Sequence, residues 1–129
     1  MNRKITYRVW DKKENRFRHK NEATINPQGD VFCNDYAGMA ENERFIVQQA
    51  IGIKDKNGND IYEGDILRVF YTRGDKNSTF DDYEVFYNAN DCRFELGLYV
   101  NGKMIMVNKQ PSYYRHDCYE VIGNILEEK

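Results

Sequence analysis

The sequence predicts an all-β protein, an SH3-like barrel with additional N-terminal β-hairpins. Short runs of alternating apolar and polar residues recur along the 129-residue chain, and turn-forming residues separate them at regular spacing. Aromatic residues make up 14% of the chain and only 2 residues are proline, a composition that favours half-buried strands over long helices. A Gly-Asp pair that opens a strand, a longer loop and two tightly connected strands follow the order found in small SH3-like barrels.

The N-terminal part is predicted to hold two hairpins and a longer strand. Residues 5–10 alternate between apolar and polar side chains, and a charged turn leads from them to a short partner strand. Residues 26–29, Asn-Pro-Gln-Gly, form a hairpin turn because Pro and Gly stand where turns favour them. Residues 35–42 are assigned at most one helical turn. The predicted strands are residues 5–10, 16–19, 23–25, 30–33 and 45–53.

The C-terminal part is predicted to form the barrel. A polar loop over residues 72–82 separates its first two strands, a tight turn at 89–92 connects the next two, and Asn101-Gly102 begins a further hairpin. By its length the chain is one domain. Within it we distinguish an N-terminal β lobe, residues 1–53, from a barrel lobe, residues 54–129. The predicted barrel strands are residues 65–71, 83–88, 93–99 and 119–126.

Residues 52–69 read GIKDKNGNDIYEGDILRV and carry the strongest turn signal of the chain. An Asn-Gly pair between two strand-like runs indicates a hairpin, because both central residues of a type I′ turn need positive φ. We therefore predict structural turn roles for Gly58, Gly64 and Asp65. A β-branched residue at position 58 would adopt the required φ only with strain.

The same segment is dense in oxygen ligands, which suggests a calcium site. An EF-hand loop starting at Asp55 needs Gly at its sixth position and Glu at its twelfth, where this chain has Asp60 and Ile66. Turn chemistry accounts for these side chains without a metal. We predict no metal and no other cofactor. The side chains concerned are Asp55, Asn57, Asn59, Asp60, Glu63 and Asp65.

Catalytic candidates are few. The carboxylates of Asp60, Glu63 and Asp65 have no nucleophile and no phosphate-binding loop beside them in the sequence. Residues 116–118, His-Asp-Cys, form the one cluster of these residue types. Adjacent residues of a strand point to opposite faces, but His116 and Cys118 could share one face of an extended segment, so this pair stays open. His19 is the only other histidine, too few for a zinc site. The sequence therefore predicts that the protein is not an enzyme.

The cysteines indicate a reducing compartment. Their number is odd and no two of them have a CxxC spacing, so a disulfide framework is not expected and we predict free thiols. The chain opens without the apolar run of a signal peptide, and no stretch approaches the ~18 apolar residues that span a bilayer. These features predict a cytoplasmic protein without membrane contact. The three cysteines are Cys33, Cys92 and Cys118.

Charge is distributed unevenly. Residues 1–20 hold eight basic and two acidic residues, a net charge of +6, and the rest of the chain carries −8. Arg8 and Trp10 share one face of the first predicted strand, and Arg16 and Arg18 share one face of the next. Basic side chains beside an aromatic ring are typical of surfaces that bind single-stranded nucleic acid. The alternative is that Trp10 belongs to the core and the arginines only solubilise an edge strand.

Three segments of the chain resemble sequences of one known family. Residues 52–67, GIKDKNGNDIYEGDIL, closely resemble TGLKDKNGKEIYEGDIV, the signature of the YopX family, small proteins of phages and prophages. The opening RKITYRVWDKKENRF is similar to the segment RxxKFRAWD, and the closing YEVIGNILEE is similar to VIGNIYEN. The departures, Ile51 for Thr, Ile53 for Leu and Leu126 for Tyr, exchange one strand residue for another. The resemblance implies a mostly β architecture with an SH3-type barrel and a phage or prophage origin.

The biochemical role of that family is not established, so the resemblance carries over no catalytic residue. We predict a phage or prophage accessory protein in the cytoplasm of a bacterial host cell. Its first predicted role is a non-catalytic module that binds a phage or host protein through a barrel groove or a sheet edge. The second is a nucleic-acid-binding module that uses the basic N-terminal face, and an enzyme comes third. A homo-oligomer stays open.

Overall fold

The structure, a computed structural model, describes residues 5–19, 22–28, 30–33, 44–70, 80–109, 111 and 118–127. Over these ranges the chain forms eleven strands and no α-helix, which confirms the predicted all-β, barrel-like fold. No helix in the described ranges has the length and apolar character needed to cross a membrane. The predictions for residues 35–42, for most of the loop 72–82 and for His116 and Asp117 lie outside the described residues.

The chain divides into two compact units, Met1–Gln49 and Ala50–Lys129. The boundary proposed from the sequence, after residue 53, falls further along the strand that runs from one unit into the other. The strands are β1 Tyr7–Asp11, β2 Arg16–Phe17, β3 Ala23–Ile25, β4 Val31–Cys33, β5 Phe45–Lys54, β6 Asp60–Tyr62, β7 Asp65–Phe70, β8 Phe80–Asn88, β9 Arg93–Val100, β10 Lys103–Lys109 and β11 Tyr119–Asn124.

In the first unit, β1 lies between β2 and the first half of β5, and both pairs are antiparallel. The predicted hairpin of β3 and β4 forms, and between its strands the Asn26 N–H donates to the Asp30 carbonyl at 3.0 Å. The core of the first unit is a small apolar cluster in which Val9, Val31 and Phe45 are buried and Ile25 and Val47 pack against them.

The second unit is built on a five-stranded antiparallel sheet in the order β10-β9-β8-β7-β11. The end of β5 pairs with β6 in the same unit. Alternate residues of the five strands face the larger core of the protein, as the period-two pattern predicts. The buried members of this core are Ile61, Leu67, Val69, Tyr83, Val85, Leu96 and Tyr119.

The turn at residues 55–59 differs from the expected type I′ turn. Gly58 has a φ of 83°, but Asn57 is not among the residues with positive φ. The Gly58 N–H donates to the Asp55 carbonyl at 3.0 Å, and the Asp55 N–H donates to the Asn59 carbonyl at 2.9 Å. This is a three-residue loop that ends in a positive-φ glycine. The two-residue loop with positive φ at both positions occurs at Asn101-Gly102, with φ of 53° and 77°.

Candidate interaction surfaces

Trp10 and Arg18 of the predicted nucleic-acid face are buried, with exposed fractions of 5% and 6%. The Trp10 ring packs edge-to-face on Phe17 at 4.8 Å between ring centroids. A tryptophan held this way cannot stack on a nucleobase, and a buried guanidinium cannot reach a phosphate. The structure therefore shows the alternative interpretation, in which Trp10 belongs to the core.

Arg18 is buried because it neutralises a buried carboxylate. Its Nε and Nη2 donate to Asp11 Oδ2 at 2.9 and 2.6 Å, and Arg44 donates to both Asp11 oxygens at 3.0 and 2.9 Å. Burial by itself would raise the pKa of Asp11, but the hydrogen bonds from Arg44 and Arg18 hold this pKa well below its usual range. Asp11 is therefore an anion that binds two guanidinium groups in the interior of the first unit.

Arg8 and Arg16 are also engaged within the first unit. Arg16 forms ion pairs with Glu14 and Glu22, each at 2.9 Å. Its hydrogen bond is the main reason why the pKa of Glu22 is lowered to about 2. The Arg8 guanidinium lies over the Phe17 ring at 4.1 Å and donates to Gln48 Oε1 at 3.1 and 3.2 Å. Of the four predicted residues, Trp10 and Arg18 are buried, and Arg8 and Arg16 are half-buried and bind groups of the first unit.

In the second unit, Asp55 is a buried carboxylate whose partners the sequence did not reveal. Its Oδ1 accepts the backbone N–H groups of Asn57 and Asn59, both at 2.9 Å, and its Oδ2 accepts the N–H of Val121 at 3.0 Å. Burial opposes ionisation, but the hydrogen bonds from Val121, Asn59 and Asn57 lower the pKa of Asp55. Its oxygens are thus occupied by backbone donors of the turn and of β11.

Asp65 also forms a hydrogen bond with β11, the strand that contains Val121. Its Oδ2 accepts the Tyr62 N–H at 2.8 Å, and its Oδ1 accepts Asn124 Nδ2 at 3.0 Å. Gly64, with a φ of 86°, donates its N–H to the Val85 carbonyl at 2.7 Å. Across the described part of the chain, no three His, Cys, Asp or Glu side chains converge on a point where a metal could bind.

Two further features of the second unit also serve its own packing. Glu95 is buried on β9 and accepts hydrogen bonds from Asn88 and Arg93, which lower its pKa in that order of importance. On the other side of the sheet from the core, Arg68 lies over the Phe80 ring at 4.1 Å and pairs with Asp82 at 2.9 Å.

Cys92 and Cys118, the cysteines whose side chains the structure describes, are not in disulfides.

The two ends of the five-stranded sheet differ. β11 is the terminal strand at one end, and the chain itself covers its outer edge. The Lys56 N–H donates to the Tyr119 carbonyl at 2.9 Å, and the Asp55 carboxylate takes the Val121 N–H. The terminal strand at the other end is β10, which pairs with β9.

A row of apolar side chains runs across the sheet from the core to the terminal strand β10. Tyr83, Leu98 and Ile105 are consecutive cross-strand neighbours on the core face of β8, β9 and β10. Tyr83 is buried, Leu98 is half-buried, and Ile105 is 53% exposed; Val100, on the same face of β9, is 42% exposed. The apolar face that forms the core therefore extends to the solvent at this terminal strand. We call Ile105, Val100 and the strand β10 the β10 edge.

The first unit has an apolar cleft of about 370 Å³. It extends the core cluster of that unit, because Ile25 and Val47 belong to both. Its one amide side chain, Asn26, is used in the hairpin turn: its Oδ1 accepts the N–H groups of Gln28 and Asp30 at 3.0 and 2.8 Å. Recognition in this cleft would rest on apolar contact. Its lining residues are Tyr7, Ile25, Asn26, Pro27 and Val47.

Together these features define a small all-β, barrel-like protein whose buried carboxylates serve the fold. Residues 6–129 match the family model described as YopX protein, so the chain belongs to the YopX family, as the resemblance implied. The crystal structure of protein EF1440 from Enterococcus faecalis is similar, with a TM-score of 0.57 and 24% identity over 98% of this chain and 96% of that chain. This similarity concerns the fold alone. A comparison with curated proteins gave no match.

Proposed function

We propose that the protein is a non-catalytic interaction module that binds another protein along the β10 edge. The supporting observation is the row Tyr83, Leu98, Ile105, which passes from the core to the solvent at the terminal strand of the sheet. Exposed apolar side chains beside the backbone of a terminal strand favour the addition of a strand from a partner. The partner is a phage or host protein, and the setting is the cytoplasm of a bacterial cell that carries the phage or prophage.

Two groups of contacts favour this proposal over its alternatives. The burial of Trp10 and Arg18, and the ion pairs of Arg16, favour protein binding over nucleic-acid binding. The carboxylates considered for acid–base chemistry already have partners: Asp60 pairs with Lys54 at 3.0 Å, and Asp65 binds Asn124. Such commitments favour a structural role over a catalytic one.

Co-purification tests this proposal. The tagged chain is expressed in a host carrying the phage or prophage and is purified with and without nuclease. We expect a protein partner that survives nuclease and is lost with Ile105→Glu. The matched control is Ile5→Glu, since Ile5 is similarly exposed, at 50%, in the first unit. Loss of all bound material on nuclease treatment, or equal retention by both variants, contradicts the proposal.

A further inference from the structure

We infer that the segment bound at the β10 edge is an extended, acidic stretch of the partner, added to the sheet as a strand next to β10. This inference rests on the proposed function and names the chemistry of the partner.

Among the residues that the structure describes, β9 is the one strand paired with β10, so a further strand can be added at this end of the sheet. At the opposite end, Lys56 and Asp55 bind the outer carbonyl of Tyr119 and the outer N–H of Val121. The chain thus covers one edge with its own groups. An added strand at the other edge would extend the antiparallel order and cover Ile105 at the same time.

The core face of β10 is basic at both ends. Lys103 is the cross-strand neighbour of Val100, Ile105 of Leu98, and Lys109 of Leu96, so all three lie on the core face. The Lys109 ammonium lies 5.6 Å from the centroid of the Tyr83 ring. The strand, KMIMVNK, contains no acidic residue. Opposite charges on neighbouring strands stabilise a sheet and like charges destabilise it, so the added strand needs acidic side chains flanking an apolar centre.

The same charges argue against a second copy of this chain. A two-fold antiparallel pairing of β10 with itself would place Lys103 of each copy at the end where the other copy has Lys109. Like charges directly opposite each other destabilise a strand pair, and lysines on an edge strand are a known protection against such self-association. The occupant that fits is therefore an acidic segment of a different protein.

Designed peptides test the inference. The first probe is a fluorescein-labelled nonapeptide in which Glu, Val, Val and Glu alternate with Thr. In the second probe Lys replaces both Glu, and in the third a central Thr is replaced by Pro, which removes a backbone donor. Fluorescence anisotropy should give a Kd for the Glu peptide on the order of tenfold below that of the Lys peptide. The Pro peptide should bind more weakly than its parent.

Charge reversal on the protein provides the matched comparison. Lys103→Glu should reduce the preference for the Glu peptide, and Lys13→Glu, an equal charge change in an exposed turn of the first unit, should leave it unchanged. Amide chemical-shift changes on binding should concentrate in β10. Equal binding of the Glu and Lys peptides, no binding of the Glu peptide, or the same effect from both variants overturns the inference.

Two further outcomes distinguish the inference from the function it rests on. If Ile105→Glu abolishes partner co-purification but the peptides do not discriminate by charge, the acidic-strand inference is wrong and the interaction module stands. If nuclease removes all bound material, the proposed function itself fails. Dimers in solution that Ile105→Glu dissociates would identify a second copy as the occupant and overturn the inference.

Discussion

The Asp55 carboxylate accepts the backbone N–H of Val121 at 3.0 Å, although the two residues are 66 positions apart in the chain. Its other oxygen accepts the N–H groups of Asn57 and Asn59. One buried carboxylate therefore shapes the turn between β5 and β6 and covers the outer edge of β11. The middle and closing segments that resemble the YopX family meet at this contact, so their occurrence in one chain has a structural reason.

Replacing Asp55 with Ala should destabilise the protein by about 3 kcal/mol. The change leaves three backbone N–H groups without their acceptor, and a buried donor that loses its partner costs about 1–3 kcal/mol. Urea unfolding followed by circular dichroism measures the effect. In the control, Asp60→Ala, the lost ion pair with Lys54 is exposed, so the change should stay below about 1 kcal/mol. Equal, small losses in both variants would contradict the role of Asp55.

Replacing Gly58 with Val should lower the free energy of unfolding by about 1–3 kcal/mol. Nothing lies within 4 Å of a Cβ added at Gly58, so the cost arises from its φ of 83° and not from a clash. Gly123→Val is the matched control, because a Cβ there also has open space and its φ is not positive. The same urea titration compares the two. An unchanged stability of Gly58→Val, together with loss of a binding activity, would mean that Gly58 acts in binding.

The sequence located the turns better than it defined their type. Asn57-Gly58 marks where the chain reverses, but the Asp55 side chain binds two N–H groups of the loop and so favours a three-residue turn over type I′. Asn101-Gly102 adopts positive φ at both residues, as a type I′ turn requires. The β8 strand starts at Phe80, before the predicted residue 83, because Asp82 finds a cross-strand partner in Arg68.

The sequence misplaced the candidate surface for a different reason. Alternation correctly puts Arg8 and Trp10 on one face of β1, but it cannot say whether that face is open. Phe17 of the neighbouring strand covers both side chains, and Val9 on the opposite face is buried too. The sequence pattern also did not reveal that Ile105 is exposed, because its exposure depends on which strand lies at the end of the sheet.

Acid should destabilise the protein through Asp11. Burial would raise the pKa of Asp11, but Arg44 and Arg18 hold it below its ordinary value in the folded chain. Above about pH 5 this carboxyl is ionised in both states, so its contribution to stability is constant. As the pH falls through about 4 the unfolded chain takes up the proton first, and the free energy of unfolding decreases toward the lower folded pKa.

The measurement is the urea midpoint between about pH 7 and pH 2.5, compared with that of Asp11→Asn. The variant lacks this titration, so its midpoint should fall less steeply below about pH 4. Asp55 and Glu95, whose pKa values are also lowered, keep part of the slope in both proteins. Identical slopes for the two proteins would show that Asp11 does not contribute.

Arg18→Ala should destabilise the protein more than Arg16→Ala, because Arg18 is buried and Arg16 is partly exposed. Removing one partner of a buried ion pair costs about 3–5 kcal/mol, and because Arg44 still pairs with Asp11, we expect about 3 kcal/mol for Arg18→Ala. Arg16→Ala breaks partly exposed pairs with Glu14 and Glu22 and should cost less than about 1 kcal/mol. Thermal unfolding gives both values. Neither variant should change the affinity for a labelled single-stranded DNA at low salt, because Arg18 is buried and Arg16 is paired with Glu14 and Glu22. A fold of normal stability in Arg18→Ala, with weaker and less salt-dependent DNA binding, would restore the nucleic-acid role of this face.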